Sequence, residues 1–146
     1  MYKFSVGVVT VLLLVITETV VADDDPRQWV QLPPMMRQHM LGNMRDHLQA
    51  LSEIQLELSK GNFEKAGEIA ENRIGLSSLA SHGASHMAPF MPKQMQEFGT
   101  QMHQAASRFA ITAQESAVDG DAKRAIAGLS DITRQCIACH AAFRVN

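Results

Sequence analysis

Both cysteines of this chain fall in one short stretch, "RQCIACHAAFRVN" (Arg134 to Asn146), three positions apart, and a histidine follows the second directly. On a helix, residues three apart share a face, so the thiols of Cys136 and Cys139 point the same way. A disulfide within such a pair closes a very small ring and serves redox exchange more than architecture. A thiol oxidoreductase places the pair at the start of a helix in a mixed strand-and-helix fold, where the helix N-terminus acidifies a thiol. Zinc takes about four ligands, and there is no second cysteine pair to supply them. Cys136, Ile137, Ala138, Cys139 and His140 instead spell C-x-x-C-H, the covalent attachment sequence of a c-type haem. The two sulfurs form thioethers along one porphyrin edge, and His140 binds the iron as proximal ligand.

The elements that position this site are helical. Large apolar residues between Met35 and Lys60 fall at Met36, Met40, Met44, Leu48, Leu51, Ile54 and Leu58, in steps of three and four that make one stripe. Gly61 ends that helix and Asn62 is the expected cap of a second, which starts near Phe63 and runs through Ile69 and Ile74 towards Leu79. Pro89 and Pro92 mark the main break. A third helix is expected from about Lys93 to Ala117, with Met95, Phe98, Met102, Phe109 and Ile111 on its apolar side. After a turn at Gly120, with Asp121 as N-cap, a fourth runs to the end of the chain through Ile126, Leu129, Ile132 and Cys136. No alternating strand pattern stands out. The expected fold is all-α, an antiparallel up-down-up-down four-helix bundle.

With 146 residues, 46% of them hydrophobic, the chain has room for one domain with a core. Its formal net charge of -2 offers no basic face for nucleic acid. "MYKFSVGVVTVLLLVITETVVA" has a basic start at Lys3, an apolar run from Phe4 to Ile16, and small or aliphatic residues at Val20 and Ala22. This is the layout of a secretory signal peptide, cleaved between Ala22 and Asp23. The apolar run falls short of the roughly twenty residues that cross a bilayer. The expected organisation is therefore a signal peptide over residues 1–22, an extended surface segment over 23–34, and a four-helix haem-binding domain over 35–146.

C-x-x-C-H followed by "AAFR", Ala141 to Arg144, on the last helix of an exported four-helix chain resembles the cytochromes c-prime and their low-spin, Met-ligated relatives. The specific motif of that resemblance is Cys136, Cys139, His140, Phe143 and Arg144. It implies one covalent haem c carried by the last helix, a distal face covered by the first helix, and a periplasmic location. It also places Arg144 near the proximal side, where a C-terminal cation suits the helix dipole as well.

The iron's sixth position separates the functions open to such a protein. In an up-down-up-down bundle the end of helix one lies level with the start of helix four. His140 lies roughly nineteen residues beyond Asp121, about 28 Å along the bundle at 1.5 Å per residue. The same depth counted back from Lys60 reaches Leu41, between Met40 and Met44, and the lean of side chains towards their own N-termini favours Met44. Met44 is therefore the first expected axial ligand and Met40 the second, with Met36 lower. The competing reading of each methionine is a flexible core residue. His39 and His47 are further potential ligands, although a helical histidine is more often a polar surface residue.

A methionine completing the pair with His140 suits single-electron transfer, with periplasmic or membrane-bound redox proteins as partners. A five-coordinate iron with its distal site open to an apolar pocket instead takes nitric oxide or carbon monoxide, as the resemblance to cytochromes c-prime implies. A third reading uses "SHGASHMAPFMPKQM" and its neighbours. His82 and His86, four apart, can share a helical face and hold copper or zinc, with thioethers of Met87, Met91 and Met95 nearby for Cu(I). Its competitor is that these methionines pack around the porphyrin while the histidines face solvent. No nucleophile or carboxylate pair suggests an enzyme, no nucleic-acid partner is expected, and a homodimer remains open.

Overall fold

The computed structural model describes residues 25–146. The expected signal peptide and its cleavage site lie outside the described residues. The described chain is all-α in character, with five helices and one pair of very short strands. Among the described residues no helix is long and apolar enough to cross a membrane.

Helix α1 covers Pro34–Ser59. Proline suits this first position, where the missing N–H would have had no partner in any case. The helix stops at Gly61, whose φ of 78° is left-handed. Helix α2, Phe63–Arg73, begins after Asn62, but no side-chain cap forms there. The Asn62 amide donates instead to Glu57 Oε2 at 2.7 Å. The helix also stops short of Leu79, giving way to a 3-10 turn at Leu76–Ser78. A four-residue helix, α3 (Ala84–Met87), and a second 3-10 turn at Ala88–Phe90 bridge to α4, Lys93–Asp119. Gly120, at a φ of 75°, closes α4. Asp121 caps α5, Ala122–Ala142, by accepting from the Arg124 backbone N–H at 3.1 Å.

Two expectations are corrected at the ends. The last helix does not continue to Asn146: Phe143–Val145 are extended as strand β2 and pair in parallel with β1, Gln28–Val30. Three-residue strands carry too little pattern to register as alternation. The leading segment is not wholly a surface one, because Val30 and Leu32 are buried. The Leu32 backbone N–H donates to Asn146 Oδ1 at 3.1 Å, tying this segment to the chain's other end.

The apolar interior has two parts. The larger joins α1, α2, α4 and α5 around Ile54, Ile74, Phe109 and Ile132, each at most 1% exposed. Alanines on facing helices draw the backbones close. A Cβ at Gly67 would stand 3.0 Å from the Ala110 carbonyl oxygen. The α1 stripe is rotated from the expected one, since His47 and Ala50 are buried while Leu48 is 70% exposed. At 100° per residue Leu48 lies about 80° off the line of Met40, whereas His47 lies about 20° from it. Ile111 and Ile126 are exposed for the same reason of helical phase. The smaller apolar cluster is built from both strands, α1, α3 and α4, and Cys139 packs against it.

Candidate functional site

Cys136 and Cys139 lie in the last two turns of α5, both as free, half-buried thiols. Burial pushes each thiol up from its ordinary pKa. Cys136 packs against the larger core and Cys139 against the smaller cluster, so the pair straddles the boundary between them. His140 is exposed. The Arg27 guanidinium approaches its backbone carbonyl at 3.5 Å.

The smaller cluster is rich in thioethers. Met40, Met87 and Met95 are buried within it, and Met36, Met44 and Met91 pack at its edge, making six of the chain's nine methionines. The expected ligands Met44 and Met40 thus share a cluster with Cys139, although Met40 is the more deeply placed of the two. Phe98 and Phe143 complete it with ring centroids 6.4 Å apart. Arg144 leaves the helix line and sets its guanidinium over Trp29, 4.7 Å from the ring centroid, with Nε 3.7 Å from Asp25 Oδ2. Its expected role as a helical C-terminal cation is corrected by the strand that it occupies.

The donor chemistry of this end fits a covalently held haem. Two unpaired thiols share one flank of a helix, the adjacent imidazole is not committed to the core, and thioethers are concentrated beside them. Unbranched methionine side chains repack readily around a planar group. Two surface clefts, of about 450 and 310 Å³, lie elsewhere, between α2 and α4 near Gly67 and between α1 and α5 near Leu129.

The expected helical pair of His82 and His86 does not form. Gly83, at a φ of 61°, separates His82 in a turn from His86 in α3, so the two do not share a helical face. His82 turns inward to His47 of α1 and His103 of α4, with ring centroids 4.7 Å and 5.6 Å away. His47 and His103 stand 6.0 Å apart. His47 is only 6% exposed and His103 8%, which corrects the surface reading of His47.

The turn is clamped by α1. The His39 ring and the Asn43 amide both donate to the His82 carbonyl, at 2.8 and 3.0 Å. A Cβ at Gly83 would stand 2.9 Å from His39 Nε2, so glycine is needed there for space as well as conformation. Burial, then the neighbouring His82 and His103, depress the His47 pKa from 6.5 to about 4. Burial also lowers that of His82. Beside the trio, Arg73 of α2 binds Asp46 and donates to Glu53 Oε2 at 2.7 Å, which compensates its charge. The signal for His103 was present in the sequence: it lies three and seven residues before Ala106 and Ala110, on the buried side of α4.

Comparison with protein-family profiles, with curated proteins and with solved structures gives no significant match.

Proposed function

We propose that the protein is an exported c-type cytochrome that carries single electrons through one covalently attached haem. The observation that carries this reading is the C-x-x-C-H sequence on α5, with Cys139 packed against an apolar cluster that buries three methionines and carries three more at its edge. In it, Cys136 and Cys139 would hold the haem covalently, His140 would bind its iron, and Met44, or Met40 one turn earlier, would supply a second ligand. The four long helices, α1, α2, α4 and α5, then act as an antiparallel bundle with the haem between the first and last.

A bound haem would supply one-electron redox chemistry at these residues. The apolar residues of the smaller cluster would exclude water from the haem's edge, while His140 and a thioether of α1 would hold its iron. An apolar, sulfur-rich shell also limits the change in solvation between redox states. The partners are periplasmic or membrane-bound redox proteins.

The second reading is a five-coordinate haem that binds nitric oxide or carbon monoxide. It draws support from the same apolar cluster, whose lining suits a small uncharged gas. Absorption spectroscopy of the purified protein, oxidised and reduced, separates the two. Electron transfer with methionine ligation requires a low-spin spectrum that added nitric oxide leaves unchanged on mixing. A high-spin spectrum that shifts at once with the gas sinks that reading and favours the second.

A further inference from the structure

The buried His47 and His103 and the half-buried His82 belong to three separate parts of the chain, α1, α4 and the turn before α3, and their rings meet. None is used by the proposed haem site. Buried polar rings ordinarily satisfy both nitrogens, and this trio does not. His47 Nδ1 is buried without a hydrogen-bond partner.

The spacing is that of rings around one ion. Two imidazole nitrogens on a tetrahedral zinc, each about 2.0 Å from it, stand about 3.3 Å apart, and the ring centroids about 5.2 Å apart. His47 Nε2 and His82 Nδ1 are 3.5 Å apart. The three centroid separations run from 4.7 to 6.0 Å.

Protonation also suits ligation. His103 Nδ1 donates to the Ile74 carbonyl, which can only accept, so the neutral tautomer of this ring presents its lone pair at Nε2. Ser78 Oγ places its one proton on the Gly75 carbonyl at 2.7 Å, so in the 3.2 Å contact with His82 the ring Nδ1 donates and the lone pair of the neutral ring lies on Nε2, which rotation of the ring would bring to an ion. The nearest fixed cation, Arg73, is held by Asp46 and Glu53.

We propose that His47, His82 and His103 form a binding site for one divalent transition-metal ion of the zinc and copper class. Imidazole nitrogens suit these ions, and three of them leave a fourth position for water. As placed, no group of three His, Cys, Asp or Glu side chains among the described residues meets metal-holding geometry. Convergence needs rotation of the His82 ring, which is only half-buried and so gives the ion an entry path. The clamp of His39 and Asn43 on the His82 carbonyl holds the backbone of that turn while the ring moves. The site is independent of the haem reading, because it shares no side chain with Cys136, Cys139, His140 or Met44.

The test is calorimetric titration of the full purified chain, treated with chelator and dialysed, with zinc chloride and separately with copper(II) chloride. One ion should bind per chain. His82→Gln and His103→Gln should each weaken binding by roughly tenfold or more, since even second-shell changes cost that much. His86→Gln, at an exposed position, should leave the affinity unchanged. X-ray absorption of the zinc-loaded wild type removes any dependence on how the variants fold, and should give three imidazoles at about 2.0 Å. Absence of saturable binding, retention of full affinity by His82→Gln, or a sulfur shell around the zinc overturns the proposal.

Discussion

The Arg144 guanidinium lies 4.7 Å from the centre of the Trp29 ring, across the parallel pair of strands that joins residues 28–30 to 143–145. Val30, Phe143 and Val145 of that pair pack into the cluster that also receives Cys139. The contact therefore helps to close the thioether-rich end of the molecule. A cation over an indole face at an exposed site is worth about 0.5–1 kcal/mol. Arg144→Ala should lower the unfolding free energy by about that amount and leave the slope of the urea transition unchanged. Trp29 is the only tryptophan, so its emission reports the change directly. An unaltered urea midpoint would count against the contact.

Two glycines should respond in opposite directions to an added side chain. Gly99 lies inside α4, and a Cβ there meets nothing within 4 Å. Gly99→Ala should raise stability by up to about 1 kcal/mol through helix propensity. Gly67 faces α4 so closely that a Cβ would lie 3.0 Å from a backbone oxygen and 3.3 Å from the Ala113 Cβ. Gly67→Leu should cost about 1–3 kcal/mol by forcing the helices apart. Thermal unfolding of both variants checks the pair, and stabilisation by Gly67→Leu would contradict the close approach of α2 and α4.

Acid should destabilise the metal-free protein through His47. His82, His103, Asp46 and Arg73 surround this ring, and its pKa is about 4 when folded against 6.5 ordinarily. Between those values the unfolded chain holds the proton and the folded chain does not, so stability rises with pH. The contribution is complete above about pH 6.5 and is lost as pH falls towards 4. It amounts to roughly 3 kcal/mol at most, at 1.36 kcal/mol per pKa unit. Urea unfolding across this range, with chelator present, should show a slope that His47→Gln reduces. A curve flat from pH 7 to 4 would contradict the burial of a neutral ring.

Features that depend on local spacing were legible in the sequence. Cys136 and Cys139 share a flank because three residues nearly complete a helical turn, and Asp121 caps α5 because a short acceptor precedes the helix. Met36, Met40 and Met44 lie along one side of α1 and meet the same apolar cluster, as steps of four on a helix require. Features set by the path of the chain between elements were not legible. The partners of His82 depend on a left-handed Gly83 and on a carbonyl gripped by His39 and Asn43, neither of which has a periodic signature. The strands at Gln28–Val30 and Phe143–Val145 pair through backbone groups, across more than a hundred residues, with only three residues each. Leu48 was misplaced because a large apolar side chain outweighed helical phase, which favours His47.

Axial ligation should be readable from single methionine variants. If Met44 binds the iron, Met44→Ala converts a low-spin haem to high-spin, while Met40→Ala mainly lowers stability, by about 2–5 kcal/mol for a buried methionine. Loss of the low-spin spectrum in Met40→Ala alone moves the ligand one turn earlier on α1. Absorption and magnetic circular dichroism of the two variants, side by side, make the distinction.

The central claim is that Cys136 and Cys139 carry a covalent haem. Intact mass spectrometry of the chain, produced in a bacterium with c-type cytochrome maturation and denatured before measurement, tests this most directly. The expected mass is that of the mature chain plus one haem, with neither thiol open to alkylation and no haem retained by the double variant Cys136→Ser and Cys139→Ser. A bare chain with both thiols alkylated, from cells in which a control cytochrome c is fully matured, would contradict it.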